Sequence, residues 1–413
     1  MQRLFFLFLV ISSFAQAQII PQGFLVGKAM AIEQGVKLVA TDNIGNSLQG
    51  GAVAISSDGN TAIIGGWGDN SYSGAAWIWT RSNGLWTKKL KLNPTGITGN
   101  NASQGSAVAI SPDGNMVMVG SPGNNGGMGG VWIWDLVNNI WTQSAILKVT
   151  SPTSLQYGLG TSIALSSDGT TMVVGGANYN SSSGAAWVFV KSGSNWVQQG
   201  TVLDGNDHTA GSNQGQSVAI SADGNTIIVG GYYDQDRMGA AWIYTRSGTT
   251  WSQQGSKLVG TGSVGTVIFQ GYRVAISADG NTAFVGGMAD NSSAGAVWIY
   301  TRSGNSWTQL GNKLIGSTIS AIKPDFGYAL VLSPDGNTLY VGASSDDANK
   351  GSIRVFKKSA NTWIEQTYSI KGINRIGTSV LGRSMAISAD GKTLISGGFI
   401  DQGGIGAAWV FDL

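Results

Sequence analysis

The chain has 413 residues, of which 42% are hydrophobic, 11% charged and 63 glycine, and its formal net charge is +2. Periodic apolar residues exclude a disordered chain, and little charge with abundant Gly favours turns and β-structure over helices. With no Lys/Arg block there is no electrostatic footprint for nucleic acid or anionic membrane, and with no cysteine there is no disulfide, thiol catalysis or Cys-bound zinc.

The first residues read MQRLFFLFLVISSFAQAQ. Arg3, the apolar run Leu4–Val10 and the small residues of Ala15-Gln16-Ala17 predict a signal peptide over 1–17. The apolar run falls well short of the ~20 residues a membrane span needs. The expectation is a mature chain from Gln18, secreted or held in the cell envelope, forming one domain over 18–413. The next recognisable phrase, AIEQGVKLVA at Ala31–Ala40, matches WSQQGSKLVG at Trp251–Gly260.

From there the chain repeats itself. Hairpin phrases such as ISSDGNT and ISADGNT place an aspartate at Asp58, Asp113, Asp168, Asp223, Asp279, Asp335 and Asp390, spaced 55, 55, 55, 56, 56 and 55 residues apart. An array at one fixed period governs the reading of every smaller motif. Counted from that aspartate, glycines recur at −8, +7 and +16, as in Gly215, Gly230 and Gly239 of the fourth unit. A complete unit spells four strands: QSVAIS, NTIIVGG, GAAWIYTRSG and TWSQQGSKLVG in the fourth, the first two joined by an Asp-Gly hairpin. Seven such units predict an all-β fold, a seven-bladed β-propeller of four-stranded antiparallel blades.

Fixed columns supply a core. Tryptophan stands at +19 in six units (Trp77, Trp132, Trp187, Trp242, Trp298, Trp409), with Arg354 the exception, and again at +28 in six. So regular a position predicts interior packing between blades rather than a sugar platform. The seventh unit stops after its third strand at Leu413. Ala31–Ala40 is therefore expected to supply the missing strand and close the last blade, which removes an open sheet edge.

The glycine that opens the first strand, the VGG or VGA that ends the second and the GAAWIY third strand resemble FG-GAP repeats, the units of the integrin α-chain propeller and of many bacterial surface proteins. Phe326-Gly327 is the literal Phe-Gly, and Gly342-Ala343-Ser344 a loose form of the GAP segment. The resemblance spans all seven units and implies an extracellular recognition propeller. Calcium-binding relatives carry several carboxylates in the hairpin. Here each hairpin offers one Asp and often one Asn, short of the roughly six to eight oxygens calcium takes, so no metal or other cofactor is expected. The hairpin aspartates read as turn residues.

Catalysis finds no constellation. The one histidine, His208, sits in a Gly-rich polar loop near Asp204 and Asp207, without a nucleophile and base arranged as a triad. A non-enzymatic, monomeric binding protein is expected. Its binding face should carry the loops between second and third strands, where an acidic column at +11 (Asp69, Asp234, Asp290, Asp346, Asp401) suggests a polar ring of negative field, unsuited to an acidic partner. Position +9 breaks the repeat with Trp67, Tyr232 and Phe399. The candidate ligand residues are Trp67, Asp69, Phe399 and Asp401 at the junction of first and last blades, with Tyr232, Asp234 and Asp290 further round. Two functions follow: an adhesion or protein-interaction module, or a lectin binding glycans. A lectin should repeat its pocket in each blade, and the irregular +9 column favours the first.

Overall fold

The computed structural model describes residues 30–149, 156–317 and 324–413. The expected leader over 1–17 lies outside them. Seven sheets form the molecule, each built on four antiparallel strands. In the fourth blade, Ser217–Ile220, Thr226–Gly231, Ala240–Ser247 and Thr250–Gln253 pair in sequence order, with Val218 opposite Val229 and Tyr244 opposite Gln253. The first two strands are joined by a turn in which Gly224 adopts φ +68°. The Asp223 Oδ1 closes that turn, accepting from the Asn225 N–H at 3.0 Å and the Ser221 hydroxyl at 2.5 Å. The aspartate is thus a structural acceptor, as its sequence context requires.

First strands of neighbouring blades touch all the way round, so they line the axis. The blades meet there through backbone. A Cβ on Gly175 would lie 2.0 Å from the Gly215 carbonyl oxygen of the next blade, and one on Gly397 would lie 1.9 Å from that of Gly50 across the closure. The +7 column is glycine because a side chain would hold the blades apart. Outward from the axis the +19 tryptophans fill the space between sheets: Trp77, Trp132, Trp242, Trp298 and Trp409 are wholly inaccessible and Trp187 nearly so. The indole N–H groups of the five inaccessible ones are satisfied, Trp242 by Asp207 at 2.8 Å and Trp298 by the Thr261 carbonyl at 2.8 Å. The +28 tryptophans are only half-buried for the most part, and link blades from the rim: Trp251 Nε1 donates to Gln199 of the preceding blade at 3.0 Å.

The ring closes at the last blade, but with a shorter strand than the sequence predicts. Val36–Leu38 pairs antiparallel with Ala407–Asp412, Lys37 opposite Trp409. The residues before it leave for the sixth blade, where Met30–Gln34 runs parallel to Thr362–Gly372 and makes a fifth strand. The single strand expected over Ala31–Ala40 is divided at Gly35. That residue has φ +96°, and a Cβ there would strike Phe411 and the Val410 carbonyl, so only glycine lets the chain turn from one blade to the next.

Candidate functional site

After its second strand every blade makes a tight left-handed turn. In the fourth, Gln235, Asp236 and Arg237 take φ of 48°, 54° and 76°. The residue before this turn is the +11 column, and its carboxylate faces inward. Asp234 is wholly inaccessible, accepting from the Thr209 N–H at 2.7 Å and from Lys257 Nζ at 2.6 Å. Asp69 does the same with Ile44 N–H (2.7 Å) and Lys91 (2.6 Å), and Asp290 with Val264 N–H (2.8 Å) and Lys313, while Asp401 accepts from Ile376 N–H (2.7 Å) and forms an ion pair with Lys37. Each aspartate thus ties the loop between second and third strands to the entering loop through a backbone N–H and to the fourth-strand segment through its lysine. A buried carboxylate must be paired, and these four are. The predicted carboxylates Asp69, Asp234, Asp290 and Asp401 therefore lie beneath the surface, and the negative field expected of this face is balanced blade by blade.

The lysines were legible but not singled out. Lys91, Lys257, Lys313 and Lys37 hold one register position beside the +19 tryptophan, in the four blades that have both that tryptophan and the +11 aspartate. Blades two and three have Ile146 with Asn124, and Val202 with Tyr179, an apolar residue opposite an uncharged one. In blade six Arg354 stands in for tryptophan and lysine together: it is buried and binds Asp346 at 2.9 Å and Glu365 at 3.3 Å.

The aromatic half of the predicted site does come together. Trp67 and Phe399 meet across the closure with ring centroids 6.3 Å apart, and Trp67 lies against the backbone of Gly51. Phe399 continues to Arg383, whose guanidinium sits 5.2 Å from its ring and 4.0 Å from that of Tyr328. Tyr328 touches Tyr272 (4.9 Å, hydroxyls 2.7 Å apart), and Tyr272 touches Tyr232 at 5.3 Å. The two predicted clusters, at Trp67–Phe399 and at Tyr232, are ends of one arc. Burial, then the Tyr328 hydroxyl, pushes the Tyr272 phenol well above its ordinary value, so it stays a neutral hydroxyl.

The arc borders the axial mouth, a cavity of ≈ 430 Å³ to which all seven blades contribute, with Trp67, Arg273, Tyr328 and Phe399 in its wall. Sequence reasoning missed Tyr272, Arg273, Tyr328 and Arg383. Their signal is the pair of positions after the −8 glycine. The −7 column reads Gly51, Ser106, Thr161, Gln216, Tyr272, Tyr328, Arg383, and −6 is small everywhere except Arg273. At these two columns the tyrosines and arginines are confined to blades five to seven, while Trp67 and Tyr232 extend the arc to blades one and four from the +9 column.

Other polar groups are spent locally. His208 lies 3.2 Å from Asp204 and its Nδ1 is 2.9 Å from the Thr209 carbonyl. Among the described residues no group of three or more His, Cys, Asp or Glu could hold a metal ion, and no helix is long and apolar enough to cross a membrane.

The FG-GAP repeat family matches residues 196–244, from the fourth strand of blade three to the third of blade four. No curated protein matches the chain. Among solved structures, a chain of the Kuenenia stuttgartiensis hydrazine synthase is 14% identical with a TM-score of 0.57, covering 93% of this chain and 99% of its own. A chain of a mitotic checkpoint complex is 13% identical with a TM-score of 0.58, covering 98% and 99%. At such identities the likeness is one of fold alone.

Proposed function

We propose that this chain, an FG-GAP-type β-propeller, is a non-catalytic binding module that works outside the cytoplasm, in the cell envelope or beyond it, and takes a protein partner on the face that carries the axial mouth. The arc of rings and arginines from Trp67 to Tyr232 carries this reading. Large aromatics and arginine are the residues interfaces use as anchors, and here they are gathered on one face at columns where the rest of the repeat is small. The leader-like start supports export. A lectin is the second reading; the arc is built from unlike residues at different columns and skips blades two and three instead of recurring blade by blade, which favours a protein.

The test is a photo-crosslinking amino acid placed at Tyr72 or Tyr233, both exposed beside the arc, and at Asn225 on the opposite hairpin face, in cells that make the protein. Protein adducts from the first two positions and none from Asn225 are expected. Equal adducts from all three positions, or from none, would refute the assignment of the face. A glycan array showing several equivalent sites per chain would move the function to the lectin.

A further inference from the structure

We propose that the axial mouth is a carboxylate-recognition site, in which an acidic side chain of the protein partner is received at Arg273 and Arg383. The inference rests on the protein-binding reading above and gives its chemistry. The two guanidiniums flank one ring, 5.8 and 4.0 Å from the centroid of Tyr328. Both residues are half-buried, so each cation has already lost part of its water. Neither has an Asp or Glu oxygen within 4.0 Å among the described residues, which include every carboxylate side chain of the sequence. The contrast with the rest of this face is sharp. Lys37, Lys91, Lys257, Lys313 and Arg354 are each matched to a buried aspartate.

The remaining donors tell the same story. Arg273 gives one hydrogen bond, to the Tyr272 carbonyl at 3.1 Å, and the buried Nε of Arg383 has no acceptor. Asp325, within electrostatic reach of Arg383, takes its hydrogen bond from Ser345 at 2.5 Å instead of from Arg383. Arginine stacked on aromatic rings keeps its planar fork free for an oxygen pair, and a half-buried cation is where such a pair gains most. The opposite wall is uncharged, with Ala52, Val53, Ala107 and Val108 facing the cavity. A polyanion would leave charges against that wall. A single carboxylate on a short apolar stem, as in Asp or Glu, places its head at the arginines and its methylenes on the alanines and valines. A cavity of ≈ 430 Å³ has room for such a side chain and its neighbours.

The experiment selects from a random-peptide phage library on the full-length protein, on R273Q/R383Q and in parallel on an oligouronate array. Peptides enriched in Asp or Glu on the wild type, and not on the double variant at an unchanged melting temperature, are expected. Synthetic forms of those peptides with Glu→Gln should bind the wild type at least roughly tenfold more weakly, which tests the idea even where the double variant fails to fold. Enriched peptides lacking acidic residues, or Glu→Gln forms that bind equally, would overturn the carboxylate inference and leave the protein-binding reading standing. No enriched peptide, with or without binding of oligouronates, would overturn both.

Discussion

Lys37 in the closing strand and Asp401 in the loop of the seventh blade form an ion pair at the seam of the ring, with Asp401 wholly inaccessible. The same pair recurs in blades one, four and five, so the closing strand brings to the last blade both backbone and the cation its loop requires. Removing one partner leaves a buried charge. Lys257→Ala should cost about 3–5 kcal/mol in denaturant unfolding. Blade three shows how the chain does without the pair, with Val202 and Tyr179 in these two places. Lys257→Val combined with Asp234→Asn should therefore recover most of the loss, and a double variant as unstable as the single would refute the pairing argument.

The closure itself predicts two different truncations. A chain starting at Gly35 loses only the parallel fifth strand of blade six and the Glu33–Arg375 contact, in which Glu33 is largely exposed. Its melting temperature should fall little. A chain starting at Asn43 also loses Val36–Leu38 and leaves the third strand of blade seven as an open edge. Aggregation or loss of a cooperative melt is expected there, by calorimetry and light scattering.

Trp242→Ala tests the core. The side chain is fully buried between blades and bonded to Asp207, so truncation should cost about 3–5 kcal/mol. A change of a few tenths in the chemical unfolding midpoint would mean the indole is not interior.

Acid should unfold the protein through its hairpins. At Asp223 burial raises the carboxyl, but hydrogen bonds from Ser221 and Asn225 outweigh it and hold it below the ordinary carboxylate range, and all seven hairpin aspartates are lowered. A lowered folded-state value gives stability that is present above the unfolded value, about 3.9, and lost as pH falls through the folded one. Melting temperature should be flat above about pH 5 and drop steeply below about pH 4. Asp204 and Asp325, raised chiefly by burial, act in the opposite sense but are outnumbered. Since the Oδ1 of each hairpin carboxylate is taken by Ser or backbone donors, a calcium chelator should leave the melting temperature unmoved.

Much of this was legible because a repeat averages out local ambiguity. Seven copies fix the strand order, the hairpin acceptors and the interior place of the +19 tryptophans, where one copy would leave each open. The division of Ala31–Ala40 at Gly35 was not, because its match to Trp251–Gly260 also covers the part that departs to blade six. The arc was half legible. Trp67, Tyr232 and Phe399 stand out at +9 as large residues in a loop, whereas Arg273 and Arg383 sit at the start of first strands, where attention falls on the packing columns. The acidic column misled for a physical reason. A charge column on a loop reads as a surface, yet four of the aspartates are matched by lysines some twenty residues on or a whole ring away, and that partnership exists only once the blades are assembled.

The central claim is that the face around the axial mouth binds the partner. The measurement is a titration of the crosslinked and identified partner against Trp67→Ala, Phe399→Ala and Tyr232→Ala, each beside its melting curve. Weakening of more than about 1 kcal/mol in at least one variant that still melts near the wild type is the predicted result. Unchanged affinity in all three, whether or not stability falls, would contradict the account and leave these rings as covering for the blades beneath.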